Sequence, residues 1–149
     1  MFGLGTWIEA AWSDLENEQW LELTAGTNYT VGRGTRLMLE AFYNGRGESG
    51  TPYSVTQWAG RLTGALQSIG KTIIYGAVFH PVDEFQLWNV GISGIMSGSD
   101  GSAVIIPSVA YAFAQNVDLL FNGLLYLGKD GSEFSGDRAG GFLRVRFYF

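Results

Sequence analysis

The chain has 149 residues, a length that suits one domain, and only 15% of them are charged, against about 25% in an ordinary soluble domain. Hydrophobic residues make up 46% and aromatic residues 15%, which excludes a disordered chain or a coiled coil. The net charge of −5, without a basic cluster, argues against nucleic acid as a partner. The chain lacks cysteine and has His80 as its one histidine, which leaves little for a metal site or a catalytic triad.

Windows of alternating apolar and polar residues recur along the chain and are separated by clusters of Gly, Asn, Asp and Ser. Their length is close to the about 9 to 11 residues that a tilted membrane-crossing strand needs. We therefore predict an all-β fold, an antiparallel up-and-down β-barrel in a single domain over residues 1–149. The eight predicted strands cover residues 2–13, 19–31, 35–44, 71–80, 85–96, 103–113, 117–127 and 141–149.

The connection at residues 45–70 is the longest one in the prediction. It begins with the loop sequence GRGESGTP and continues with apolar residues at a spacing near 3.6, which predicts a short amphipathic helix. The sequence leaves open whether this connection forms a lid, a constriction loop or an interfacial helix. The apolar residues of the predicted helix are Val55, Trp58, Leu62, Ala65 and Leu66.

Two later strands have features of their own. The fourth predicted strand places Ile73, Tyr75, Ala77 and Phe79 together on one face. The sixth contains Pro107, and because proline has no N–H for the strand ladder, we predict a bulge or a locally unpaired position there.

Apart from Lys71 at the start of the fourth strand, the predicted strands contain seven charged residues, all on the face opposite the aliphatic side chains. That face carries too little charge for a water-exposed surface, so we expect it to line the barrel interior while the aliphatic face contacts lipid. Aromatic residues near the strand ends agree with a membrane interface. The predicted luminal charge network consists of Glu9, Glu22, Arg36, Glu40, Asp118, Arg144 and Arg146.

Closure of the barrel would pair the last strand with the first and bring Arg144 and Arg146 close to Glu9. A charge in a narrow lumen is costly unless it is paired, so the network is interpreted as a polar plug that fixes the barrel. The other interpretation is a conduction path, which requires a wider pore than eight strands enclose.

Connection lengths are also informative. Residues 32–34, 81–84 and 114–116 form short turns, whereas the connections at 14–18, 45–70, 97–102 and 128–140 are mostly longer. This alternation is typical of an outer-membrane barrel with both termini on the periplasmic side.

The C-terminal sequence GFLRVRFYF ends on Phe149, with Leu143, Val145 and Phe147 alternating behind it. It resembles the terminal strand of Gram-negative outer-membrane β-barrels, and GTNYTVGRGTRLMLEAFYNGRG and PSVAYAFAQNVDLLFNG resemble strand–turn–strand units of porin-like barrels. The resemblance implies a location in the bacterial outer membrane, contact with its lipid, and recognition of these four residues as an assembly signal by the barrel assembly machinery. It also implies a structural role or porin-like passage of small solutes.

The N-terminal sequence MFGLGTWIEAAW lacks the pattern of a signal peptide. Either a signal has been removed, or the chain is the C-terminal part of a larger barrel. Eight strands alone would give an interior that side chains just fill, whereas a larger barrel would form a channel.

We predict no enzymatic activity, no cofactor and no metal site. Nothing in the spacing selects Ser54, Ser68 or Ser108 as a nucleophile for His80. The segments GSDGS and GKDGSEFSGD are rich in oxygen ligands but lack the acidic spacing of a calcium loop, so they are interpreted as turns.

A soluble β-barrel that binds an apolar small ligand is the alternative interpretation. Its aliphatic face would point inward, and its pocket would be lined by Leu21, Leu39, Val90 and Phe121.

Overall fold

The computed structural model describes residues 3–15, 18–64, 66–136 and 138–149. Within these ranges, no helix is long and apolar enough to cross a membrane. The elements in chain order are β1 (Gly3–Leu15), β2 (Glu18–Val31), β3 (Thr35–Asn44), α1 (Val55–Leu62), β4 (Thr72–Pro81), β5 (Trp88–Ser97), β6 (Ala103–Ala114), β7 (Val117–Leu127) and β8 (Ala139–Phe147).

All eight strands belong to one antiparallel sheet in which each strand pairs with its neighbours in sequence. The predicted all-β, up-and-down arrangement is thereby confirmed, as is a short helix in the connection after β3. The helix begins at Val55 because Ser54 and Gln57 form a reciprocal capping box. Phe2 and Ala65, which belong to the predicted first strand and helix, lie outside the described residues.

The sheet is not closed, so the prediction that the last strand pairs with the first is wrong for this structure. β1 and β8 are its two edges, and every residue of β8 is exposed. Side-chain alternation determines the face of each residue, and the hairpin connections determine each neighbouring pair. Neither property determines whether the two outermost strands meet.

Cross-strand register divides the strand side chains into two faces. We call the face with Ile8, Ala25 and Ala41 the apolar face, and the face with Trp7, Gly26 and Glu40 the polar face. Within the described strands the apolar face has no Lys, Arg or Glu, and its aspartate, Asp14, lies near the end of β1.

The best-buried strand side chains lie on the polar face. Ala77 and Val104 are only 5% and 6% exposed there, whereas Ile92 and Phe121 on the apolar face are 51% and 50% exposed. Four β4 side chains were predicted to share one face, and all of them lie on this polar face: Ile73, Tyr75, Ala77 and Phe79. The polar face is therefore the more closely packed face of the sheet.

Glycines let large aromatic side chains lie flat on the polar face. A Cβ atom on Gly26 would overlap the indole of Trp7, and one on Gly91 would overlap the ring of Phe79. The indole N–H of Trp7 donates a hydrogen bond of 3.2 Å to Oε2 of Glu40. The glycine at position 26 thus holds Trp7 within reach of a strand carboxylate.

Replacing Gly26 with valine is expected to destabilise the sheet by ~1 to 3 kcal/mol, because the added atoms displace the Trp7 indole. Gly76→Val is the matched control, since a Cβ atom at Gly76 meets open space. Denaturant unfolding of both variants measures the difference. Equal losses of stability would contradict the described packing of Trp7.

Pro107 interrupts the pairing of β6 with β7. Pairing stops after Ile105 and resumes at Ser108 in the same register, so Pro107 lacks a partner on the β7 side. The predicted local loss of pairing is confirmed, while the register shift of this pair lies further on, between Ala112 and Ala114. Gly123 faces the proline, and a Cβ atom there would lie 2.9 Å from Cγ of Pro107.

The connection before β5 is longer than predicted. Oxygens of the Asp83 carboxylate accept hydrogen bonds from the amides of Leu87 at 3.1 Å and Trp88 at 2.7 Å, and Gln86 has a positive φ of 56°. The turn therefore continues through Leu87. Six residues separate β4 from β5 and five separate β5 from β6, so the expected alternation of short and long connections is wrong for this pair. It is also wrong for the first pair, because two residues separate β1 from β2 and three separate β2 from β3.

Candidate functional site

The register places all seven predicted luminal charges on the polar face. Three of them are arginines and four are carboxylates, and they spread across both halves of the sheet. Glu9 lies on β1 while Arg144 and Arg146 lie on β8, so these charges are at opposite edges and the expected contact between them is not formed.

One part of this network is connected through a residue that sequence reasoning missed. The Tyr148 hydroxyl donates to Oδ2 of Asp118 at 2.8 Å and accepts from Nη1 of Arg146 at 3.0 Å. Asp118 and Arg146 are cross-strand partners, so Tyr148 bridges a carboxylate and a guanidinium. Tyr148 follows Arg146 by two residues, so strand alternation places both side chains on the same face. This spacing is the sequence signal that could have identified Tyr148.

The other predicted charges have weaker contacts or none. Arg36 and Arg144 each lie 5.9 Å from the centre of a phenylalanine ring. In the described part of the chain, Glu9 and Glu22 have no ion pair or hydrogen bond through their carboxylates. The polar face is therefore a set of separate polar groups and not one continuous network.

The residues of the predicted assembly signal lie at the β8 edge. Leu143, Val145 and Phe147 share the apolar face and pair with residues of β7. β8 ends at Phe147, so Phe149 lies beyond the strand and is fully exposed.

Three connections meet at one end of the sheet: residues 45–71, 98–102 and 128–138. We call their hydrogen-bonded contacts the loop layer. Asp100 is its centre, because its carboxylate accepts from the Ser102 amide at 2.7 Å, the Ser102 hydroxyl at 2.6 Å, the Tyr53 hydroxyl at 2.9 Å and the Glu133 amide at 2.8 Å. One turn carboxylate thus contacts all three connections.

Glu133 joins two of the same connections. Its carboxylate oxygens accept from the amide of Ile69 at 2.8 Å and the amide of Gly70 at 3.0 Å. Ile69 is completely buried, and so is Asn44 at the end of β3, whose side-chain amide donates to the carbonyl of Ser68 at 2.9 Å. Sequence reasoning identified turns in these segments but missed that they bind one another.

Burial and hydrogen bonding shift the pKa values of two side chains in the loop layer. Burial, together with the hydrogen bond to the Asp100 carboxylate, raises the pKa of Tyr53 to about 12. Partial burial alone would raise the pKa of Asp100, but hydrogen bonds from Glu133 and Ser102 outweigh it and hold that pKa below its ordinary value. The carboxylate therefore stays ionised, and the layer intact, at mildly acid pH.

The Tyr53 phenol is expected to ionise near pH 12, above an ordinary tyrosine. Because its folded-state pKa is raised, the stability it contributes is complete below about pH 10 and is lost as the pH rises toward 12. Phenolate absorbance against pH measures this, and Tyr53→Phe should remove the transition near pH 12. An unchanged titration in that variant would contradict the described environment of the phenol.

The structure does not join His80 to any of the three serines considered with it. Nδ1 of His80 lies 2.8 Å from the Thr35 hydroxyl on the apolar face. Ser54 caps α1, Ser68 donates to the carbonyl of Gly70, and Ser108 lies on the polar face of β6. Among the described residues, no group of three or more His, Cys, Asp or Glu could hold a metal ion.

The geometry defines an eight-stranded antiparallel sheet with one apolar face, one polar face and a hydrogen-bonded layer of connections at one end. In comparisons with family models, curated proteins and solved structures, nothing matches this chain.

Proposed function

We propose that the sheet is part of the wall of a transmembrane β-barrel in the bacterial outer membrane, with its apolar face against lipid. The observation that carries this proposal is the apolar face itself, which is exposed and has no charge in the interior of any described strand. Water is a poor solvent for such a face, and monomeric soluble proteins rarely expose large continuous apolar surfaces. Its most exposed side chains include Leu4, Ile8, Trp12, Leu39, Phe113 and Leu143.

Aromatic side chains on the apolar face support two interfacial belts. Trp12 and Tyr43 lie near the end that carries the loop layer. At the opposite end Trp88 stacks on Tyr111, with ring centres 4.1 Å apart, and Tyr111 meets Phe113 edge to face at 6.2 Å. Trp and Tyr favour the two membrane–water interfaces, and strands of 9 to 14 residues are long enough to connect them.

The two open edges limit how such a wall can exist in lipid. Backbone N–H and C=O groups without partners cost several kcal/mol each in hydrocarbon, so β1 and β8 must pair with each other or with further strands. Closure of eight strands favours a structural role, because side chains fill the interior. A wider barrel favours passage of small solutes along the polar face. On this proposal the chain has no enzymatic activity, and the barrel assembly machinery recognises Leu143, Val145, Phe147 and Phe149.

The soluble alternative is less well supported by the pattern of burial. Three of the four side chains assigned to its apolar pocket, Leu39, Val90 and Phe121, are among the exposed apolar residues. The better-buried face is the polar one, which is the opposite of what an apolar ligand pocket needs.

Quenching of tryptophan fluorescence by brominated lipid tests the orientation. Two single-tryptophan variants, one retaining Trp12 and one retaining Trp7, compare the two faces of β1 in reconstituted vesicles. We expect strong quenching of Trp12 and weak quenching of Trp7. A protein that is monodisperse without detergent and is not quenched at either position would overturn the membrane proposal. Channel conductance of the same vesicles then distinguishes solute passage from a structural barrel.

A further inference from the structure

A cleft of about 780 Å³ lies between α1 and the beginning of β2. One wall is formed by Glu18, Trp20 and Arg46, and the other by α1 residues that include Thr56 and Gln57. The volume falls within the range of small-molecule sites, about 300 to 1,000 Å³. Trp20 and Glu18 belong to the polar face, so this part of the β2 wall lies on that face.

Hydrogen bonds and close contacts hold the β2 wall in place. The Gly45 amide donates to the carbonyl of Leu21 at 2.9 Å, and a Cβ atom at Gly45 would lie only 2.6 Å from that carbonyl oxygen. The next amide, of Arg46, donates to Oδ1 of the fully buried Asn44 at 3.0 Å. Glycine is therefore required for the close approach, and Asn44 fixes the direction in which Arg46 leaves the turn.

Arg46 links the charged and aromatic parts of the cleft. Its guanidinium carbon lies 4.4 Å from the centre of the Trp20 ring, and its Nη2 lies 2.8 Å from Oε2 of Glu18. The opposite charges of Arg46 and Glu18 cancel across this short distance. The β2 wall therefore offers an indole, a carboxylate and a guanidinium without a net charge.

The α1 wall adds neutral hydrogen-bonding groups. The Thr56 hydroxyl has no partner among the described residues. Oε1 of Gln57 accepts from the Ser54 amide at 2.9 Å, which leaves the side-chain NH₂ of Gln57 free to donate. Leu66 and Ala59 add an aliphatic part to the lining.

We propose that this cleft binds a neutral saccharide of one or two sugar rings. Sugar hydroxyls both donate and accept hydrogen bonds, which matches the mixture of carboxylate, guanidinium, amide and hydroxyl groups. The C–H face of a sugar ring packs on an aromatic ring, and because Arg46 covers one face of Trp20, the sugar would pack on the other face. The absence of net charge in the cleft favours a neutral ligand over an ion. Because the cleft lies within this chain, the proposal does not depend on what the apolar face contacts.

Saturation-transfer NMR of the full chain with maltose, cellobiose and N-acetylglucosamine tests the proposal, with glutamate as a charged probe. We expect saturable binding of at least one of these saccharides and no competition by glutamate. Trp20→Ala should weaken that binding at least about tenfold, which corresponds to the loss of one good contact. Trp58→Ala is the matched control, since Trp58 lies on α1 outside the cleft lining.

Thr56→Val keeps the shape of its side chain but removes the hydroxyl, so it tests the site even if Trp20→Ala fails to fold. We expect it to weaken binding several-fold while the strand signal in circular dichroism stays unchanged. The proposal is overturned if none of the three saccharides binds, if glutamate displaces them, or if Thr56→Val binds as well as the original chain. Equal losses of saccharide affinity in Trp20→Ala and Trp58→Ala would also overturn the proposal.

Discussion

Replacing Leu39 with arginine is expected to reduce the stability of the membrane-inserted protein by ~2 to 4 kcal/mol, because it places a charge on the lipid-facing side near the middle of a strand. Leu39 lies on the apolar face of β3 and is 55% exposed. In water, the same substitution at an exposed position would change stability little. Refolding into lipid vesicles across a urea gradient measures the effect.

Met38→Arg is the matched control, because Met38 is the neighbour of Leu39 on the same strand, is also exposed, and lies on the polar face. We expect this variant to insert nearly as well as the original chain. Similar losses at both positions would contradict the assignment of the faces. No loss at either position would argue that neither face contacts hydrocarbon.

Replacing Asp100 with alanine is expected to open the loop layer. The change removes the acceptor for four donors contributed by Ser102, Tyr53 and Glu133. A buried donor left without a partner costs about 1 to 3 kcal/mol, so a local destabilisation of about 2 kcal/mol or more is expected. Faster hydrogen exchange at the Glu133 and Ser102 amides, and protease cleavage within residues 45–71, are the measurements.

Asp130→Ala provides the comparison for Asp100→Ala. Asp130 is an exposed aspartate in the connection between β7 and β8, and it makes no hydrogen bond or ion pair in the described chain. Its replacement removes the same charge from the same region without removing a contact. Equal protease sensitivity in the two variants would indicate that charge, and not the Asp100 contacts, holds the connections together.

The strands and their faces could be predicted because a period of two residues is a local property. Tight hairpin connections such as Gly32 to Gly34 and residues 115–116 fix the neighbouring pairs. The start of β5 was misjudged by three residues because the Asp83 carboxylate satisfies the amides of Leu87 and Trp88. Hydrogen bonds to a side chain therefore take the place of strand hydrogen bonds there. The alternation of apolar and polar residues does not reveal this.

The loop layer and the cleft could not be predicted for a different reason. Glu133 binds the amides of Ile69 and Gly70 from more than 60 positions away in the sequence. Such contacts depend on which connections the sheet brings to the same end, and no local pattern encodes them. Alternation did place Trp20 on the polar face, but the stacking of Arg46 on its ring depends on a turn anchored by Asn44.

Pro107 and Gly123 mark a local interruption of the pairing between β6 and β7. Two successive positions between β6 and β7 lack cross-strand pairing, whereas the same stretch of β6 remains paired with β5. A ladder that is intact on one side and interrupted on the other bends more easily at that line. One proline and the glycine that faces it thus give the sheet a line of reduced pairing that leaves its register unchanged.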